Sequence, residues 1–205
     1  NISGLITQPF VFVSRTKWKN FDDMVNYGRE NPGKLTYATA GKGSGAHLCM
    51  EQFAVEAKLD MLDVPYKTTT EPVMNIMGNT VDTFCNTITQ AIPLAKDNRI
   101  VLSAVIDSKR SELLPDVPTI KELGYPNVTV HYWIGVFGPA NMDPVLVNKI
   151  HNAIQKAMEN TTVKAKIWVS GSTPMKLTPK EFDNFVKKQI KDNAQIIKRS
   201  NIVME

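Results

Sequence analysis

Apolar and polar positions along this chain switch between a period of two and a period near 3.6, and the switching predicts most of its elements. Ile2 to Ser14 alternates apolar with small polar residues, and Pro9-Phe10-Val11-Phe12-Val13 reads as a buried strand. Asn20 stands where a cap belongs for a helix over Phe21 to Asn31, with Asp22 and Asp23 in its first turn and Pro32-Gly33 after it. A short strand from Leu35 then meets a glycine-rich turn, and a helix follows through Cys49, Met50, Phe53, Ala54 and Ala57. Further along, the pattern predicts a strand over Met61 to Tyr66 and a helix capped by Thr70 and closed by Gly78. Val81 to Asn86 reads as a strand, Gln90 to Asp97 as a short helix, and Ile100 to Ile106 as a strongly apolar strand.

Strands alternating with short helices indicate an α/β fold whose sheet is mainly parallel and covered on both faces. In such sheets ligands sit beyond the carboxyl ends of the strands. Thr39-Ala40, Tyr66-Lys67 and Asn86-Thr87 all belong to that rim. From Leu113 the texture changes. Leu114-Pro115-Asp116-Val117-Pro118-Thr119 is a proline-punctuated loop, with Thr119 placed to cap a brief helix ending at Gly124. Val128 to Phe137 reads as one more strand, and the remainder as helices. Asp143-Pro144 opens the first of these, with Leu146, Ile150, Ile154, Ala157 and Met158 at helical spacing. Thr178-Pro179-Lys180-Glu181 is a capping box before a stripe of Phe182, Phe185, Val186, Ile190 and Ile197. These helices need a second sheet to pack on. The chain therefore reads as one complete lobe, 12–130, and an incomplete, mostly helical second lobe from 1–11 and 131–205, with Pro9 to Val13 and Val128 to Phe137 crossing between them.

Composition narrows the partners. The 205 residues are 42% hydrophobic and 21% charged, in the range of ordinary globular domains. No apolar run approaches the roughly 20 residues of a membrane span. The net charge of +4 is modest, and the basic residues near the end (Lys187, Lys188, Lys191, Lys198, Arg199) have no aromatic residues among them. They read as a solvated helix face, not a nucleic-acid footprint. His131 and His151 show no ligand spacing, so no metal is expected, and no cofactor either. Cys49 and Cys85 match no redox or metal motif and read as buried thiols, with a disulfide left open.

The chemistry concentrates in Gly41-Lys42-Gly43-Ser44-Gly45-Ala46-His47. Glycines permit left-handed backbone and close approach of a ligand, and the following helix offers unpaired N–H groups and a positive dipole end. A phosphate-binding P-loop is excluded because Lys42 precedes two of the glycines, and the dinucleotide fingerprint is excluded because the glycines are spaced GxGxG. Ser44 and His47 allow a hydrolase-like alternative, but no nucleophile elbow surrounds the serine and no acidic residue is obviously placed to orient the imidazole. Binding without catalysis remains: the amides of Gly43, Ser44, Gly45 and Ala46, the Ser44 hydroxyl and the helix dipole would hold a carboxylate, with His47 as a wall of the turn.

Four segments then carry a resemblance. Gly-Lys-Gly-Ser-Gly-Ala-His-Leu (41–48), Val-Pro-Tyr-Lys (64–67), Leu-Pro-Asp-Val-Pro-Thr (114–119) with Glu122 and Gly124, and Trp-Ile-Gly-Val-Phe-Gly-Pro-Ala (133–140) resemble, in order and over nearly the whole chain, the Bug-type, TctC-like receptors of tripartite tricarboxylate transporters. The resemblance implies a type II-like periplasmic-binding-protein fold of two lobes closing on a small organic acid. It implies presentation of that acid to membrane permease subunits, and a periplasmic or extracytoplasmic location. It carries Tyr66, Asn86 and Thr87 into the binding rim beside the glycine turn. Thr68 stands where such receptors usually have glycine, and Cys85 where many have an acidic residue, so a plain carboxylic acid is expected over an amino acid. The resemblance also implies a further half-lobe before residue 1. Without it the chain would be an interaction module that has lost ligand binding, and exposed apolar helix surface after residue 144 would favour self-association.

Overall fold

The computed structural model describes residues 1–68, 70–96, 98–200 and 202; Asp97, the expected end of the fourth helix, and the last residues of 131–205 lie outside that set. In chain order the elements are β1 (Ser3–Arg15), α1 (Phe21–Glu30), β2 (Leu35–Thr39), α2 (Gly45–Ala57), β3 (Met61–Pro65), α3 (Glu71–Met77), β4 (Thr83–Thr87), α4 (Ile88–Ala95) and β5 (Ile100–Ile106). They continue with β6 (His131–Val136), α5 (Pro144–Met158), α6 (Thr161–Val169), β7 (Thr173–Pro174) and α7 (Pro179–Arg199). Contacts divide them into two compact units: Asn1–Gln8 with Tyr132–Ala194, and Pro9–His131 with the chain from Gln195 onward.

The larger unit is built on the strand order β3-β2-β4-β1-β5. β2 pairs in parallel with β3 and with β4, while β1 runs antiparallel between β4 and β5. Four strands thus share one direction, linked through α2, α3 and α4, and their carboxyl ends fall along one edge. The position of β1 explains its composition. Every residue from Gln8 to Ser14 is buried, as a central strand covered on both faces requires. Phe12 meets Phe21 of α1 and Phe53 of α2 edge-on at 5.4 and 4.9 Å, and Tyr125 closes the cluster on Phe53 at 5.3 Å.

β1 is far longer than the five residues expected from the apolar run, because Ser3 to Gln8 continue the strand into the smaller unit. There β1 pairs with β6, and Ile6 and Thr7 pair with Pro174 and Thr173 of β7. Phe182 of α7 anchors this unit beneath Trp133, with ring centroids 6.0 Å apart. The expected apolar stripes are only partly buried. On α5 the buried residue is His151, whose Nδ1 lies 3.0 Å from Ser3 Oγ, while Val145 and Leu146 are exposed. On α7 Phe182 and Ile196 are buried but Ile190 is exposed.

Three local readings need correction. Thr70 has helical backbone and caps nothing; Thr68 Oγ1 accepts from Glu71 N–H instead, at 3.3 Å. Thr119 to Gly124 is a turn, not a helix, although Thr119 and Glu122 still form the reciprocal hydrogen bonds of a capping box at 2.6 and 3.1 Å. The helix α6 was not separated from its neighbours in the apolar pattern, and none of its residues is buried.

Candidate functional site

The candidate site lies in the larger unit, where β2, β3, β4 and β5 end. The chain leaves β2 at Thr39 and reaches α2 through Gly41 and Gly43, both at positive φ (100° and 76°), a backbone state that side chains with Cβ resist. Gly45 is different. Its backbone is ordinary, and its missing side chain makes room for Phe10 of β1, whose ring carbon would stand 3.1 Å from an added Cβ.

Hydrogen bonds within the turn decide which donors face outward. Ser44 N–H donates to Gly41 O at 3.2 Å, and Gly43 N–H donates to His47 Nδ1 at 2.9 Å. Ser44 is the N-cap of α2: its Oγ accepts from His47 N–H at 3.3 Å and its carbonyl from Leu48 N–H at 2.9 Å. Gly43 and Ser44 amides, expected to hold a ligand, are therefore engaged. The amides of Gly45 and Ala46, the first two helical positions, meet no acceptor among the described residues. With the Ser44 hydroxyl proton they make three donors at the positive end of a thirteen-residue helix.

His47 is buried, stacked on Tyr37 with ring planes 17° apart. Because Nδ1 accepts from Gly43, the ring proton sits on Nε2, which faces Glu51 Oε1 at 3.7 Å and Asp63 Oδ2 at 4.0 Å. Acidic residues that the sequence reading did not place thus face this imidazole beyond hydrogen-bond reach, and both come from outside the glycine motif. Tyr37 donates its hydroxyl to Glu51, and Thr39 donates to Asp63 at 3.1 Å. Burial, reinforced by Glu51 and Asp63, pushes the Tyr37 phenol far above its ordinary range, so it stays a neutral donor. The ring of His47 makes no hydrogen bond to Ser44 Oγ among the described residues, so the nucleophile–base pair of the hydrolase alternative is not formed.

Sheet register places the other expected residues. Tyr66 follows β3 and its N–H donates to Thr39 O at 2.9 Å, beside the end of β2. Asn86 and Thr87 end β4 opposite Val11 and Phe10 of β1. Asn86 is buried, its Oδ1 accepting from Thr87 N–H at 2.8 Å, and its Nδ2 donates to no described residue. Thr87 heads α4 without a side-chain cap bond. The glycine turn, Tyr66, Asn86 and Thr87 thus share one rim. The same rule would have named Asp107, next after β5, which the sequence reading missed. Its carboxylate faces His131 Nε2 at 3.8 Å. The facing His131 ring lowers the Asp107 pKa against the opposing effect of burial. Burial disfavours the charged His131 ring, but the nearby Asp107 carboxylate and the bond to Thr129 O outweigh that and raise its pKa.

The proline loop serves this rim indirectly. Val105 N–H donates to Pro118 O at 2.8 Å and Ile120 N–H to Val105 O at 2.7 Å, so the loop is docked on β5 just before Asp107. Arg110 holds its far side through Glu122 at 3.1 Å and Pro115 O at 3.0 Å. No group of three metal-ligating side chains occurs among the described residues.

Comparison with known proteins follows from this geometry. The profile described as "Tripartite tricarboxylate transporter family receptor" matches residues 1–202. Protein BugT of Bordetella pertussis is 26% identical over 94% of this chain and 60% of its own length. The chain spans about half to three fifths of the length of most of the curated relatives it matches. Among solved structures, an R. palustris protein with adipate superposes with a TM-score of 0.87 at 22% identity, over 98% of this chain and 68% of that one. MatC from Rhodopseudomonas palustris with bound malate superposes at 0.82 and 23% identity, over 95% and 68%. Together with periplasmic binding protein BugD, at 0.85, these likenesses show the type II periplasmic-binding-protein fold. The relatives are named as receptors and binding proteins, not as enzymes.

Proposed function

This chain belongs to the tripartite tricarboxylate transporter receptor family, and we propose that it is an extracytoplasmic solute-binding protein that captures a small organic acid through the amino end of α2. The observation that carries the reading is the pair of unengaged amides at Gly45 and Ala46 beside the Ser44 hydroxyl, at a helix N-terminus on the rim. Two amides and a hydroxyl match the acceptor capacity of one carboxylate, and no arginine is needed. Gly43 and His47 act behind them, holding the turn. Asn86 Nδ2 and the hydroxyls of Tyr66 and Thr87 are placed to meet the rest of the ligand. In this reading residues 12–130 form the ligand-holding lobe, and 1–11 with 131–205 belong to the other.

Adipate in one solved relative and malate in another support a dicarboxylate as the ligand class. Cys85 places an uncharged sulfur, not a carboxylate, just before Asn86, which gives a ligand ammonium group no partner and favours acids without an amine. Delivery to membrane permease subunits of a tripartite tricarboxylate transporter completes the proposal. Exposed Val145, Leu146, Trp168 and Val169 also favour self-association; a sedimentation profile of monomer at every concentration would remove that part.

The test is calorimetric titration with dicarboxylic acids, the matching amino acids and the matching diamides. Saturable heat is expected with the free acids and none with the amides. Flat titrations across the acid panel would end the proposal.

A further inference from the structure

Beneath the rim, two side chains that the binding reading does not use lie against each other. Cys49 belongs to the second turn of α2 and Cys85 to β4, on which α2 packs. Both are fully buried, and their Sγ atoms stand 2.7 Å apart. That is closer than an ordinary contact of sulfur atoms and needs a small adjustment to reach the roughly 2.05 Å of a bond. The surroundings are apolar: Phe12 stands opposite Cys85 on β1 and packs on Phe53, one turn beyond Cys49 on α2. No third ligand completes a metal site among the described residues.

We infer that Cys49 and Cys85 close a disulfide that staples α2 to β4 directly behind the binding rim. Cys49 follows the Gly45-Ala46 donors by one helical turn, and Cys85 immediately precedes Asn86, so the bond would tie together the two elements that present ligand donors. The chemistry is thiol–disulfide exchange with an external small-molecule or protein disulfide. One cysteine thiolate attacks that disulfide and expels a thiolate, giving a mixed disulfide. The second cysteine then attacks the first cysteine's sulfur and expels the other thiolate. Two electrons and two protons pass to the external disulfide, which leaves as two thiols. Burial and the neighbouring Cys49 push the Cys85 thiol up, so exchange belongs to folding, while the thiols still reach solvent. That the oxidised form prevails in the cell rests on the extracytoplasmic reading, since reducing compartments keep such pairs open.

The experiment produces the protein in parallel with export to an oxidising compartment and without it. Each sample is denatured, alkylated with a maleimide and weighed intact. The exported protein is expected to take up no maleimide, and a proteolytic digest to join the Cys49 and Cys85 peptides until reductant is added. The loop closed between the two positions sets an upper bound of about 8–15 °C on the rise in thermal midpoint relative to the reduced protein. Cys49→Ser and Cys85→Ser should each abolish the reductant-sensitive part of that midpoint while leaving a cooperative transition. Two maleimides on the exported protein, or a midpoint insensitive to reductant in the wild type, would overturn the inference. No ligand enters these measurements, so this result and the acid titration fail independently.

Discussion

A single backbone proton at Gly45 offers the sharpest test of the proposal that the rim holds a carboxylate. Gly45→Pro deletes that N–H and little else. Gly45 is the first residue of α2, the position where proline is best tolerated, and Ser44 before it already has the extended backbone (φ −62°, ψ 156°) that a following proline demands. The cost is the new side chain, whose Cβ meets the Phe10 ring at 3.1 Å. Gly45→Ala introduces the same Cβ and keeps the N–H, so it measures the steric part alone. Loss of flexibility in the unfolded chain offsets that contact by about 0.4–1 kcal/mol in both variants, and each should unfold within a few degrees of wild type. Binding should separate them. A hydrogen bond to a charged group contributes about 1.5–3 kcal/mol, and 1.36 kcal/mol is a factor of ten. Gly45→Pro should therefore bind the preferred acid about 10- to 150-fold more weakly than Gly45→Ala, by calorimetry at matched salt. Equal affinities in the two variants would show that this amide does not touch the ligand, and the helix-terminus account would fall with it.

Other parts of the fold yield predictions from their own geometry. Asp82 is buried and accepts from Lys17 at 2.8 Å, Arg15 at 3.0 Å and both Thr36 donors at 3.1 and 2.9 Å. Asp82→Ala should cost about 2–3 kcal/mol in chemical denaturation, less than a fully buried pair because Arg15 and Lys17 keep contact with water. Burial alone would raise the Asp82 pKa, but these partners lower it. Its stabilisation is therefore present above the unfolded value of about 3.9 and lost as pH falls through the lower folded value, and the variant's deficit should vanish at strongly acid pH. For the Asp107–His131 pair, the raised histidine contributes below about pH 6.5 and fades as pH rises through its folded pKa, while the lowered aspartate contributes above about 3.9. The midpoint difference between wild type and His131→Gln should peak near pH 5 and shrink by about pH 8; because both side chains keep partial contact with water, its size stays below about 1 kcal/mol. Gly135→Ala would put a Cβ 2.2 Å from Phe182 Cζ, inside a ring cluster with Trp133 and Phe137. It should destabilise by about 1–3 kcal/mol through overpacking, and wild-type stability in urea would refute that.

Legibility in the sequence followed the range of the interaction. Where a few neighbouring residues decide the outcome, reading was accurate: Asn20 caps α1 by accepting from Asp23 N–H at 2.8 Å, Asp143 caps α5, and Thr178 with Glu181 forms its box. β5 falls on the residues that its apolar run marks. Errors arose where distant partners decide. β1 runs past its apolar core because β6 and β7 supply hydrogen-bond partners for Ser3 to Gln8, and no local pattern announces that. Thr119 keeps its capping bonds yet starts no helix, since Ile120 bonds to Val105 and pulls the segment onto β5. The stripe on α5 is apolar at helical spacing but only partly covered: Ile150, Ile154 and Met158 are half-buried while Leu146 is exposed. Periodicity marks a face that wants burial without saying what will bury it.

The rim shows the same limit in its most consequential form. The glycine spacing marks the turn as a candidate anion site, but a main-chain site is specified by which amides remain free. That choice belongs to residues outside the motif. Asp63 on β3 and Glu51 one turn along α2 face His47 Nε2, which leaves Nδ1 as the acceptor for Gly43 N–H. The Gly41 carbonyl takes the Ser44 N–H. With those two donors engaged, the free pair shifts forward to Gly45 and Ala46, onto the helix axis, where the dipole is strongest. A carboxylate held there sits about one residue further into α2 than the glycine spacing alone suggests, nearer to Phe10 and the end of β4. In the proposed carboxylate site, Glu51 and Asp63 would bear on the ligand only through His47. Their carboxylates face Nε2, Nδ1 holds the Gly43 N–H, and the turn so held leaves the Gly45 and Ala46 amides open.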